Sequence, residues 1–338
     1  MVTYGLAVAG PYARLAELGR AAEASGFDAV WVAETDHDSV VAATVLAQAT
    51  SRIDVGTNVT LAFPRSPTVT AMQAWDLNEL SGDRFVLGLG SQVRRIVTDR
   101  YSAQFDRPAQ RMAEYVQAMR TVWNMERGQR VPFRGDIYRV IRTGINGLGS
   151  ATDRAMPRVY VAAVGPLMTR TATRWADGML GHPFTSVPYL RDDVLPRIEQ
   201  GLADAGRSRD EFTLAQGMIV SVADDRAVAV SEAKAQVGFY GTTPNYSGVF
   251  AASGEAYLTE DLGRVFADTG GDPHALAAAV PDDVLDRYAV AGTPDEVRDR
   301  LDEIAGLVDH LILGGAWYRV PPSRMAENLQ AIMETFAR

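Results

Sequence analysis

Residues 53–93 constrain the fold of this chain more than any other stretch. Ile53-Asp54-Val55-Gly56-Thr57-Asn58-Val59-Thr60 is a β-rich run, and Phe63-Pro64-Arg65-Ser66-Pro67 breaks it. Thr68 to Leu80 reads as a helix closed by Ser81-Gly82. Arg84-Phe85-Val86-Leu87-Gly88-Leu89-Gly90-Ser91 is a second strand, ending in small residues. Two strands joined by a helix of this length lie parallel in one sheet. Both open into polar or glycine-rich loops at their C-terminal edge, where parallel α/β folds bind ligands.

The same alternation runs from end to end. Strands are expected at Tyr4 to Ala9, Asp28 to Ala33, Pro157 to Ala163, Gly178 to Gly181, Glu211 to Val222 and His310 to Gly314. Helices fall between them, among them Arg107 to Met125, whose Met112, Tyr115, Val116, Met119, Val122 and Trp123 share one face. Thr293-Pro294-Asp295-Glu296 marks a late helix start. Eight strands each followed by a helix is the count of a (β/α)8 TIM barrel, an α/β fold. The 338 residues fit a single domain spanning 1–338 once two insertion segments, about 127–156 and 241–281, are set outside the core. The rival is a doubly wound sheet with a dinucleotide fingerprint. It needs a third glycine where Gly88-Leu89-Gly90-Ser91-Gln92-Val93 has valine, and the run follows the fourth strand, not the first.

Composition then excludes several function classes. A net charge of -9 without a long basic run argues against nucleic acid as partner. With no cysteine there is no disulfide, thiolate nucleophile or thiolate metal site, and four scattered histidines offer no H-x-x-x-H pair. No apolar run reaches the ~20 residues that span a membrane. Met1 to Gly10 reads as a first strand, not a signal peptide, so a cytoplasmic location is expected.

Several runs together resemble the bacterial-luciferase-like group of TIM-barrel flavin and deazaflavin oxidoreductases. They are Gly26-Phe27-Asp28-Ala29-Val30-Trp31-Val32-Ala33-Glu34, Val55 to Thr60, Leu80-Ser81-Gly82-Asp83-Arg84-Phe85-Val86-Leu87-Gly88-Leu89-Gly90, Val161-Ala162-Ala163-Val164-Gly165-Pro166 with Trp175-Ala176-Asp177-Gly178, and Ala291 to Val297. Residues 62–67, Gly90-Ser91-Gln92-Val93 and Phe239-Tyr240-Gly241-Thr242-Thr243-Pro244 look like the branch that uses the deazaflavin coenzyme F420. The resemblance covers essentially the whole chain. It implies a homodimer, a small-molecule substrate, and hydride transfer at the deazaflavin C5.

It also implies site residues. Thr57, Asn58 and Val59 would support the cofactor ring, with a non-prolyl cis peptide at Asn58-Val59. Gly90, Ser91, Gln92 and Val93 form the adjoining loop, where glycine admits a close ligand. Val164, Gly165 and Pro166 open a helix that continues through Met168 and Thr169, and a helix N-terminus is a ready phosphate site. Glu34, Thr35 and His37 are the acid/base candidates after strand two. Here the chain departs from the family, which often has an acidic residue followed directly by histidine; this chain has Glu-Thr, then Asp36 and His37. His182, in Leu180-Gly181-His182-Pro183, is a substrate-contact candidate at a strand end, and Tyr240, Tyr246, Trp317 and Tyr318 are weaker lining candidates. Two rivals stay open: an FMN-dependent two-component monooxygenase, and a barrel that binds the cofactor without catalysis.

Overall fold

The computed structural model describes residues 2–129, 131–142 and 155–337. Its core is a barrel of eight parallel strands: β1 (Thr3–Val8), β2 (Ala29–Val32), β3 (Asp54–Thr57), β4 (Phe85–Gly90), β5 (Arg158–Ala163), β6 (Gly178–Gly181), β7 (Thr213–Val222) and β8 (His310–Gly315). Each pairs with the next, and β8 returns to β1, closing the sheet. Helices including Tyr12–Ala24, Ser39–Ala49, Pro67–Leu80, Pro108–Glu126, Pro166–Trp175 and Arg226–Gly241 lie in the crossovers. The TIM-barrel reading is correct.

Successive strand residues face opposite sides. Trp31, Val86, Tyr160, Leu180, Ala215 and Ile312 fill the barrel interior. Val30, Val32, Val159 and Val161 face outward into the helical layer. Trp31 fits because its neighbours lack side chains: a Cβ at Gly5 would lie 2.5 Å from its Nε1, and one at Gly56 2.2 Å from its Cε3. The indole N–H donates to His310 Nε2 at 2.9 Å, and His310 Nδ1 lies 2.7 Å from Thr3 Oγ1. A proton on Nδ1 therefore satisfies all three groups in a closed floor.

Local chemistry sets the helix starts. Asp38 accepts N–H bonds from Val40 and Val41, and Ser66 accepts one from Val69. Thr293 and Glu296 form a reciprocal capping box.

Three features depart from the sequence reading. Ala289–Gly292 is a further parallel strand pairing with the upper half of β7, where a lead-in to a helix was expected. Residues 241–281 are largely helical, with Ser247–Ala252, Ala256–Thr269 and Pro273–Ala279 held down in part by Tyr318 donating to Gly271 O at 2.8 Å. In the segment 127–156, Phe133–Arg134 and Arg139–Val140 form a hairpin. Glu114 pins it by accepting the N–H groups of Ile137 (2.7 Å) and Tyr138 (3.1 Å). Positions 143–154 of that segment lie outside the described residues. Among the described residues, no helix is long and apolar enough to cross a membrane, and no group of His, Cys, Asp and Glu could hold a metal ion.

Candidate functional site

Parallel register brings all eight strand ends to one rim. Just past β3, the Asn58–Val59 peptide is cis. The Asn58 N–H donates to Val32 O at 2.8 Å, and Glu34 N–H donates to Val59 O at 3.2 Å, so the β2 and β3 exits are laced together. The Val59 side chain presses on β4: a Cβ at Gly90 would lie 2.3 Å from its Cγ2. Asn58 is half-buried, and its side-chain amide has no hydrogen-bond partner among the described residues. Small residues, Ala7, Ala162 and Gly314, continue this shallow seat around the rim, each half-buried.

Thr57 does a different job from the one expected. It is fully buried, and its hydroxyl both donates to Gly88 O and accepts the Gly88 N–H, each at 3.0 Å. It clasps β3 to β4 beneath the seat. Ser91, Gln92 and Val93 run along the rim. Ser91 Oγ donates to Gln92 O at 3.2 Å, and Gln92, at φ 55, accepts the Val93 N–H at 2.9 Å.

Glu34, Thr35 and His37 do not converge. Glu34 is buried and accepts from Arg65 Nη1 (2.9 Å), Leu61 N–H (3.0 Å) and Ser39 Oγ (3.1 Å). Arg65 also bonds Asp38, whose carboxylate caps the following helix. Burial opposes the charges in this cluster. For Arg65, the Glu34 and Asp38 carboxylates outweigh it and raise the guanidinium pKa above its usual value. For Asp38, the Val41 N–H and Arg65 outweigh it and lower the pKa. Through these bonds Glu34 tethers the β2 and β3 exits. Thr35 is exposed, its carbonyl accepting from Arg100 at 2.7 Å. His37 lies half-buried against the Tyr12 ring, centroids 4.5 Å apart. Arg65 stood in the Phe63-Pro64-Arg65 run and was legible as a residue, but its partners belong to another loop.

At Val164–Thr169 the helix Pro166–Trp175 begins at Gly165, which has no side-chain cap. A Cβ at Gly165 would meet nothing within 4 Å, so the approach to the first N–H groups is open. Gly165, Pro166 and Met168 line an open groove of about 590 Å³ with Arg107, Pro108, Ala109 and Gln110. Those last four begin the helix Pro108–Glu126, so two helix N-termini face one groove. A helix start attracts an anion, but the lining of this groove is almost wholly apolar. The second helix start was not anticipated, because nothing in its sequence says which neighbour it faces. Thr169 is turned inward and bonds Gly165 O at 3.1 Å, and Val164 O accepts from Tyr189. Both are structural to the helix start.

His182 follows β6 at the rim. Gln216 donates to its carbonyl at 2.8 Å, and its ring packs against Tyr246 and Tyr240 with centroids 4.4 Å and 5.2 Å apart. Phe184 packs on Tyr240 from behind, fully buried, and Trp317 extends the aromatic wall, also packing on Tyr240. Tyr318, by contrast, is buried under Phe239 and not part of it.

Residues 2–311 match the family described as luciferase-like monooxygenase. The chain belongs to this family. It is 32% identical over 292 residues to a 5,10-methylenetetrahydromethanopterin reductase of Archaeoglobus fulgidus, covering 84% of this chain and 83% of that protein. It is 30% identical over 320 residues to a putative coenzyme F420-dependent oxidoreductase of Mycobacterium tuberculosis, covering 89% and 90%. Among solved structures it resembles the coenzyme F420-dependent tetrahydromethanopterin reductase of Methanopyrus kandleri, with TM-score 0.79, 22% identity and 99% and 98% of the two chains covered. It also shares the fold of an FMN-bound Baeyer–Villiger monooxygenase of Pseudomonas putida, with TM-score 0.67, 16% identity and 100% and 98% covered. Membership of this family, with its F420-dependent relatives, supports an oxidoreductase.

Proposed function

We propose that the chain is an F420-dependent oxidoreductase acting on a small organic substrate. One observation carries this reading: a seat of Val59 against Gly90 at the barrel mouth, with an open helix N-terminus at Gly165 on the same rim. The seat suits a flat ring and the helix start suits a phosphate, as the deazaflavin requires. Bound there, the cofactor would supply the hydride chemistry. Asn58 and Val59 would support the ring, and the N–H groups of Leu167 and Met168 would hold the phosphate. Gly90 with the Ser91–Val93 loop would border the cofactor, and His182 with its aromatic neighbours would face the substrate. The F420-dependent relative named above supports the choice of cofactor. A homodimer is part of the same proposal.

Reduced FMN, with oxygen as co-substrate, is the second reading, favoured by the shared fold of the FMN-bound monooxygenase. Fluorescence titration with oxidised F420 and with FMN separates the two. Saturable F420 binding with no FMN binding is the expected result. Tighter FMN binding overturns the proposal in favour of the monooxygenase, and binding of neither points to a barrel without this chemistry.

A further inference from the structure

Tyr246 closes a single turn, Pro244–Tyr246, and its hydroxyl oxygen lies 2.8 Å from His182 Nε2. The other ring nitrogen, Nδ1, accepts the Phe184 N–H at 3.0 Å. A neutral imidazole has one N–H and one ring lone pair. Phe184 engages that lone pair at Nδ1, so the ring proton belongs to Nε2, and Nε2–H donates to the Tyr246 oxygen. Burial keeps the ring neutral, holding its pKa down at about 4. The Tyr246 hydroxyl therefore receives a hydrogen bond and keeps its own proton, for which the described residues provide no acceptor. A half-buried phenol with an uncommitted O–H is stabilised when an acceptor arrives. Accepting from His182 also makes it a stronger donor, because hydrogen bonds in a chain polarise one another.

We infer that Tyr246 is the donor that binds the substrate's oxygen, with His182 as the group that aims it. Tyr240 and Trp317 wall the same corner with aromatic surface, so the oxygen is carried on an apolar frame: a ketone, or the matching secondary alcohol. This rests on the reading of the His182 corner as the substrate end of the proposed oxidoreductase site. It adds a named donor, a tautomer and a ligand class.

The probe is cyclohexanone, with methylenecyclohexane as the same shape lacking the oxygen. Binding to the full chain is followed by NMR shifts of the aromatic rings. Tyr246→Phe is expected to weaken cyclohexanone roughly 3- to 10-fold, the loss of one hydrogen bond to a neutral acceptor. It leaves methylenecyclohexane unchanged. Equal cyclohexanone affinity in the two proteins overturns the inference, as does absence of cyclohexanone binding to the unaltered chain. Nitrogen-15 NMR of histidine-labelled, unaltered protein supplies a check that needs no binding variant. The His182 proton is expected on Nε2, and a proton on Nδ1 overturns the inference. F420 titration keeps the two readings apart. Tyr246→Phe should bind F420 as the unaltered chain does, whereas failure of the unaltered chain to bind F420 counts against the cofactor reading alone.

Discussion

One added methyl group tests the cofactor seat. In Gly90→Ala the new Cβ would lie 2.3 Å from Val59 Cγ2, a contact that forces the Asn58–Val59 segment to move. Overpacking of this kind costs about 1–3 kcal/mol. Gly90→Ala is expected to lose F420 affinity, and Val59→Ala in the same chain to restore part of it by removing the clash. Unchanged affinity in the single variant would mean that this corner does not support the ring. At the barrel floor, His310 has the opposite interest, since it is buried away from ligands. Burial depresses its pKa from 6.5 to about 4, as it does for His182. A depressed folded pKa means the unfolded chain binds the proton more tightly. These histidines' contribution to stability is therefore complete above pH 6.5 and is lost as the pH falls toward 4. His310→Leu removes one of the two titrations but strands the Trp31 N–H, so it should destabilise by about 1–3 kcal/mol at pH 7. Its stability should then fall less steeply between pH 6.5 and 5 than that of the unaltered chain. Urea unfolding across that range measures both, and parallel pH profiles would sink the assignment.

Among the elements, the helix Pro166–Trp175 makes a claim of its own. Gly165 caps it without a side chain, and the space ahead is open. Gly165→Asp should therefore fold normally, its carboxylate accepting the helix's first N–H groups and stabilising the dipole by a few tenths of a kcal/mol. The same carboxylate would occupy and repel the phosphate position, so F420 affinity should fall at least tenfold while the melting temperature holds or rises. Equal affinity would remove the phosphate from this helix. The capping signal of Thr293-Pro294-Asp295-Glu296 was legible because a cap is made within a few residues of sequence. The Ala289–Gly292 strand was not, because its identity comes from pairing with Ile219–Val222, about 70 residues away.

At the scale of the whole molecule, the outer layer is uneven. The helix Ser39–Ala49 has no ionisable side chain, and it packs beside Pro67–Leu80. Val41, Val69 and Met72 of this pair are 48%, 48% and 43% exposed. An exposed apolar strip of this kind is a surface on which a second copy could pack. The proposed homodimer would use this face. Val41→Lys should shift sedimentation from dimer to monomer, and a monomeric unaltered chain would overturn the assignment. The order of strands and helices, and with it the barrel, followed from the sequence alone, because hydrophobic period and turn chemistry are local properties. So did the positions of the rim residues, since each parallel strand ends on the same side. Their roles did not follow. Glu34 and Thr57 read as ligand-facing, yet Arg65, from the crossover after β3, holds one, and Gly88, within β4, holds the other. Likewise, His182, Phe184 and Tyr246 form one hydrogen-bonded chain across 65 residues of sequence. Only closure of the barrel decides such pairings, because it brings distant loops within hydrogen-bonding distance and so determines which polar atoms are already satisfied and which remain for a ligand.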